Sequence, residues 1–202
     1  MACAFLLATT MVVAKDLRAV KLKKFLDRYP WSPLRGHEQE ILYCADKFGL
    51  DYRLYVAIAG AESSYGKRYP LGTKNLTGYN SCKTGFTSIW ENIYETSKLI
   101  GTTSYYKKFR KTGDIKDLIY VYKGVPPYQH YYENMRYALD QITAVSIEKE
   151  LAEQRAVLAT KSPGGKLNKQ SWQKSIFTWT SVPFHQYGAR TKNDLSLRIA
   201  SK

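Results

Sequence analysis

The feature that most constrains this chain is the run Leu54-Tyr55-Val56-Ala57-Ile58-Ala59-Gly60-Ala61, which ends at a single acid, Glu62. Apolar residues in such a run read as the stripe of a helix that packs against the rest of the chain. Leu54, Ile58 and Glu62 stand at i, i+4 and i+8, so on a helix the carboxyl falls on the same face as the buried side chains. A carboxyl at the end of an apolar face loses part of its hydration, which raises its pKa and keeps it protonated toward neutrality. That is the state a general acid needs. The ordinary alternative is a surface glutamate capping a turn. Between Asp51 and Glu91 there is no other carboxylate, so acid chemistry in this stretch falls to Glu62.

Beyond Glu62 the chain turns polar and glycine-rich. It reads Glu62-Ser63-Ser64-Tyr65-Gly66-Lys67, then Asn75-Leu76-Thr77-Gly78-Tyr79, then Phe86 and Thr87-Ser88-Ile89-Trp90-Glu91-Asn92-Ile93. In this order the segments resemble the lysozyme-like superfamily of peptidoglycan-cleaving enzymes, in particular glucosaminidases and lytic transglycosylases. Glucosaminidases of that group carry Glu-Ser-Gly-Trp-Gly, an Asn-Leu-Phe-Gly segment, and a Phe-x-x-Tyr/Trp turn into the next helix. Ser64 and Tyr65 depart from the first motif. Further on, Tyr120-Val121-Tyr122-Lys123-Gly124-Val125-Pro126-Pro127 is similar to the transglycosylase Ala-Tyr-Asn-Ala-Gly-Pro segment, with Lys123 in the Asn region and one residue fewer. Tyr131-Tyr132-Glu133-Asn134-Met135 then resembles the start of the helix after it. The resemblance spans about Ile41 to Ile142.

The resemblance implies a mainly α, lysozyme-like helical domain, with an extended loop or small hairpin after the catalytic helix. It implies cleavage of peptidoglycan glycan strands, with Glu62 as the catalytic acid and Tyr122 lining the cleft. Ser63, Asn75 and Tyr79 become candidates for orienting acetamido groups and developing charge, and Tyr122 and Phe86 for stacking against sugar rings. Each has a structural alternative: Ser63 as a back-bond at the helix end, Phe86 as core, and the tyrosines as interface aromatics with one wet edge.

Most glycosidases work with two carboxylates. The loop from Ser63 to Trp90 offers none, Glu91 and Glu95 read as lying on a helix outside it, and Asp114 is the acid that a distant segment could supply. A lone glutamate favours the transglycosylase route that the resemblance also permits. There one Glu acts first as acid and then as base on the muramoyl 6-hydroxyl, leaving a 1,6-anhydro product.

Net charge is +14, and half of it lies beyond Leu151, where nine Lys and Arg face Glu153 and Asp194. That balance suits a polyanionic partner: nucleic acid, anionic lipid or a carboxylate-bearing cell wall. The opening residues Met1 to Ala14 are apolar but shorter than the about 18 residues a membrane-spanning helix takes. Val12-x-Ala14 fits a secretory cleavage site, which implies export to the periplasm, envelope, medium or a virion. No basic residues precede the run, so a buried N-terminal helix is the alternative. Cleavage after Ala14 removes Cys3 and leaves Cys44 and Cys82, which are available for a disulfide or remain two buried thiols. Three dispersed histidines and the absence of paired-cysteine or phosphate-loop motifs point to no metal and no cofactor.

Periodicity predicts helices over 15–28, 38–48, 51–62, 90–100, 115–122 and, as one long element, 131–158. The Tyr29-Pro30-Trp31-Ser32-Pro33 segment ends the first of these. The expected organisation is a signal peptide at 1–14, a basic helix and proline-rich link at 15–36, the lysozyme-like domain at 37–147, and a helix extension with a basic tail at 148–202. The tail, with Trp172, Phe177, Trp179 and Phe184, has the composition of a wall anchor, a disordered tail or a docking segment for a secretion machine. It also suits stacking on single-stranded nucleic acid. Two other functions compete with the enzyme: a non-catalytic peptidoglycan binder on the same fold, and a basic nucleic-acid-binding protein. The last lacks any recognisable reading element, so no specific nucleic acid is expected.

Overall fold

A computed structural model of the protein describes residues 15–124 and 126–160, with side chains through Val157. The expected signal segment at 1–14 and the basic tail beyond 160 lie outside the described residues. The described chain is mainly helical, and no strand occurs among the described residues. Its helices are α1 (Leu17–Leu26), α2 (Glu38–Phe48), α3 (Leu54–Ser63), α4 (Ile89–Thr102), α5 (Lys107–Thr112), α6 (Ile115–Lys123), α7 (Gln129–Thr143) and α8 (Glu148–Thr160). None is long and apolar enough to cross a membrane.

Helix α3 sits at the centre because its sequence leaves no alternative. Val56, Ala57, Ile58 and Ala59 are all 0% exposed, and each large apolar side chain so enclosed stabilises the fold by about 1.5–3 kcal/mol. It packs most extensively along α7, while α2 lies along α4 and α1 touches both α2 and α7. Residues 15–36, expected as a helix and link outside the main domain, put Leu22, Phe25, Leu26 and Leu34 into the same core as α3.

Local signals set most helix ends. Asp16, Ser88 and Asp114 accept backbone hydrogen bonds at the N-termini of α1, α4 and α6, satisfying donors that have no partner within the helix. Gly49 closes α2 in the left-handed conformation, φ 65°. The single helix expected over 131–158 is instead two, α7 and α8, separated by residues 144–147. Val145 is buried at that break and Lys24 of α1 pairs with Glu150 at 2.7 Å, so docking against α1 outweighs continuous helical periodicity. The segment after α3 forms no hairpin. It is an irregular loop with one 3-10 turn, Tyr79–Cys82, closed by Phe86 N–H donating to Thr73 O at 2.8 Å.

The expected Cys44–Cys82 link is absent. Both are free thiols: Cys44 is sealed in the core and Cys82 is exposed on the loop. One lies on the inward face of α2 and the other on a solvent-facing turn, so the fold keeps them apart.

Candidate active site

Glu62 is the penultimate residue of α3 and is half-buried. The helix ends because three successive residues, Ser64, Tyr65 and Gly66, take positive φ values of 51°, 59° and 85°. The freed carbonyls are met by the chain as it turns: Ser64 N–H donates to Gly60 O, Tyr65 N–H to Ala59 O and Arg68 N–H to Ser63 O. Tyr65 folds back so closely that a β-carbon on Gly60 would stand 2.6 Å from its ring. The carboxyl of Glu62 is thus delivered at a fixed exit point rather than on a frayed end.

Opposite it comes the loop. Gly78, φ 67°, brings its backbone against the carboxyl: a β-carbon there would lie 2.9 Å from Glu62 Oε2. The loop is held in that place by a fully buried polar network. Asn92 of α4 accepts from Tyr55 Oη (2.8 Å) and from Leu76 N–H (3.1 Å), and donates to Thr77 Oγ1 (3.1 Å) and Thr96 Oγ1 (3.2 Å). Thr77 and Thr96 also bond to each other at 2.9 Å. Each polar atom has a partner, which makes such a network rigid rather than costly.

Tyrosines close the remaining sides. Tyr122 of α6 donates its hydroxyl to Thr77 O at 2.6 Å, pinning α6 to the loop. Tyr131 of α7 is 7% exposed, and its hydroxyl has no hydrogen-bond partner among the described residues. It lies close enough to Glu62 to favour the charged carboxylate, but the approach lacks hydrogen-bond geometry, so we read it as proximity rather than a formed bond. Tyr106 and Tyr79 stand within electrostatic reach of Tyr122. Lys123 Nζ lies 5.9 Å from the centre of the Tyr131 ring.

These surroundings set the ionisation of the site. Burial raises the Glu62 pKa above the ordinary glutamate value, opposed in part by the Tyr131 hydroxyl and the Lys123 ammonium. Burial, together with the Glu62 charge, also holds Tyr122 and Tyr131 well above the usual tyrosine range; Tyr106, raised mainly by burial, is pushed up to about 12. All three phenols are therefore neutral hydrogen-bond donors or acceptors at any physiological pH. No second carboxylate acts on Glu62 among the described residues. Asp114 caps α6, Glu91 is bound by the Thr87 backbone and hydroxyl, and Glu95 pairs with Lys98. No cluster of three potential metal ligands occurs among the described residues.

Of the residues singled out in the sequence, Glu62 and Tyr122 come together, with Tyr79 nearby. Ser63 is buried and spent within the helix end: its hydroxyl donates to Ala59 O and accepts from Gly66 N–H, both at 2.9 Å. Asn75 is 1% exposed and holds the loop, donating to Tyr79 O and Thr84 O and accepting from Tyr79 N–H, all at 2.9 Å. Phe86 is buried edge-on against Tyr79, with ring centres 5.5 Å apart. Ser63, Asn75 and Phe86 therefore shape the site from behind, and a ligand meets other groups. Sequence reasoning missed Asn92, Thr77 and Tyr106 altogether. Asn92 and Thr96 did leave a signal, two polar residues at i, i+4 on the same face as Ile93 and Ile100; Tyr106 left none.

Comparison with known protein families, with curated protein sequences and with solved structures returned no match.

Proposed function

We propose that this protein cleaves the glycan strand of peptidoglycan, with Glu62 serving in turn as general acid and general base. The observation that carries the reading is a single partly desolvated carboxyl, raised in pKa and enclosed by neutral tyrosines and a glycine backbone. Protonated Glu62 donates to the glycosidic oxygen as the bond to the anomeric carbon breaks. The resulting carboxylate then takes the proton from the 6-hydroxyl of the same muramoyl residue as that oxygen closes on the anomeric carbon. The proton count balances, the acid is restored, and no water is consumed. Among the described residues no second carboxylate bears on Glu62, a setting that suits this intramolecular route, which needs one carboxyl where hydrolysis ordinarily uses two. The nearby Tyr131 hydroxyl, which favours the charged form of Glu62, would steady the carboxylate between the two steps. Export to the cell envelope belongs to the same proposal.

The test is mass analysis of fragments released from purified cell walls by the full chain and by Glu62→Gln. Anhydro-ended fragments from the parent and none from the variant support the reading. Reducing-end fragments redirect it to a hydrolase, and intact walls with bound protein turn it into a glycan binder.

A further inference from the structure

The proline-rich segment before α2 ended a helix in the sequence reading and had no further role there. In the structure it is clamped to the turn that leaves Glu62. Trp31 Nε1 donates to Ser64 O at 3.2 Å. Pro33 lies so near Gly66, φ 85°, that a β-carbon there would be 2.5 Å from Pro33 Cδ. Trp31 is nonetheless 46% exposed. Tyr29 supports its edge at 5.6 Å and is itself stacked on Tyr65 at 4.1 Å. The indole is thus a large apolar plane, fixed in direction, with its only donor already satisfied within the fold.

One cation lies over it and a second is next in the chain. Lys67 Nζ is 4.9 Å from the centre of the Trp31 ring, and Arg68 follows in the chain. Both are exposed, and neither has an acidic partner among the described residues. An exposed aromatic plane suits the apolar face of a pyranose ring, and cations without an acidic partner on the adjoining turn suit a carboxylate. The Lys67 side chain is long enough to move from the ring to an incoming anion.

We propose that Trp31, Lys67 and Arg68 form a saccharide subsite that recognises a sugar ring carrying an acidic substituent, anchored through Trp31 to Ser64, two residues in sequence from the reacting carboxyl. The proposal rests on the glycan-cleaving reading and adds to it the ring that the strand places beyond the scissile bond. The stacking plane selects for a ring, and the two cations select for the acidic one. Ordering the indole before the ligand arrives removes part of the entropy cost of binding.

The experiment uses the full chain carrying Glu62→Gln, with two probes: a neutral N-acetylglucosamine tetrasaccharide, and a muramoyl-peptide tetrasaccharide carrying free carboxylates. Trp31→Ala is expected to weaken both by about tenfold, the scale of one lost stacking contact. Lys67→Glu, a surface change that leaves the core alone, is expected to weaken the acidic probe and spare the neutral one. Unchanged binding of both probes by the two variants overturns the subsite. So does a thymidine oligonucleotide that binds more tightly than either saccharide and shows the same dependence on Trp31. Wall cleavage by the Glu62 parent is measured in parallel. Cleavage that is indifferent to Trp31 and Lys67 sinks the subsite and leaves Glu62 standing. Trp31-dependent binding without cleavage keeps the subsite and sinks the enzyme.

Discussion

Gly78 and Glu62 meet backbone to carboxyl: a β-carbon on Gly78 would stand 2.9 Å from Glu62 Oε2, at a φ of 67° that side-chain-bearing residues seldom adopt. Gly78→Ala therefore meets two penalties. The strained backbone is expected to cost about 1 kcal/mol or more, and the added methyl pushes the Glu62 carboxyl out of place. Thermal melting should show a modest loss while wall-cleaving activity falls far more. An alanine variant with parental activity would mean that Glu62 does not work from this position.

Glu62→Gln should abolish cleavage, a proton-transfer role being worth roughly 10²–10⁴-fold, while making the fold more stable at neutral pH. The sign follows from the raised pKa of Glu62. Between the unfolded and folded pKa values the native state binds the extra proton, so the parent loses stability as pH rises through that window. The amide has no such loss. Urea unfolding of both proteins should thus show the variant's advantage at pH 7 shrinking as pH falls below the ordinary glutamate range. An advantage that grows toward acid would contradict a desolvated carboxyl.

Tyr131→Phe keeps the ring and removes a buried hydroxyl that has no hydrogen-bond partner among the described residues. Stability is expected to hold or rise, because no bond is lost. That hydroxyl favours the charged form of Glu62, so its removal should move the Glu62 titration upward. Carboxyl NMR can follow this with or without turnover. A downward shift would place Tyr131 elsewhere.

Asn92→Ala should be among the most damaging single changes in the protein, costing about 2–4 kcal/mol. It strands the Tyr55 hydroxyl and the Leu76 N–H in a buried setting and takes one partner from the Thr77 hydroxyl, which keeps Thr96. Denaturant titration measures it. A loss below about 0.5 kcal/mol, the scale of an ordinary surface change, would show that the network does not hold the loop.

Cys82 should react with an alkylating agent in the native protein and Cys44 only after unfolding. Cys44 is 0% exposed, with its thiol pushed up to about 12 by burial, whereas Cys82 is exposed. Mass spectrometry counts the modified thiols. A native protein that takes up no label at Cys82 would revive the disulfide.

The sequence alone determined what depends on neighbours along the chain. The stripe of α2 and its Gly49 stop, the Asp114 cap of α6, and the apolar run that makes α3 central were legible because helix periodicity and capping are local. The position of Glu62 at the end of that run was legible for the same reason. The roles of Ser63 and Asn75 were not, because only the folded loop decides whether a polar side chain faces a ligand or is consumed by the backbone beside it. The break between α7 and α8 came from docking against α1, and the separation of Cys44 from Cys82 from the facing of two distant segments. Tyr106, Asn92 and Trp31 entered the surroundings of Glu62 from three different parts of the chain. Their meeting rests on distances in the folded chain: Asn92 left a polar i, i+4 pattern with Thr96, but no one stretch of sequence shows what that pattern faces.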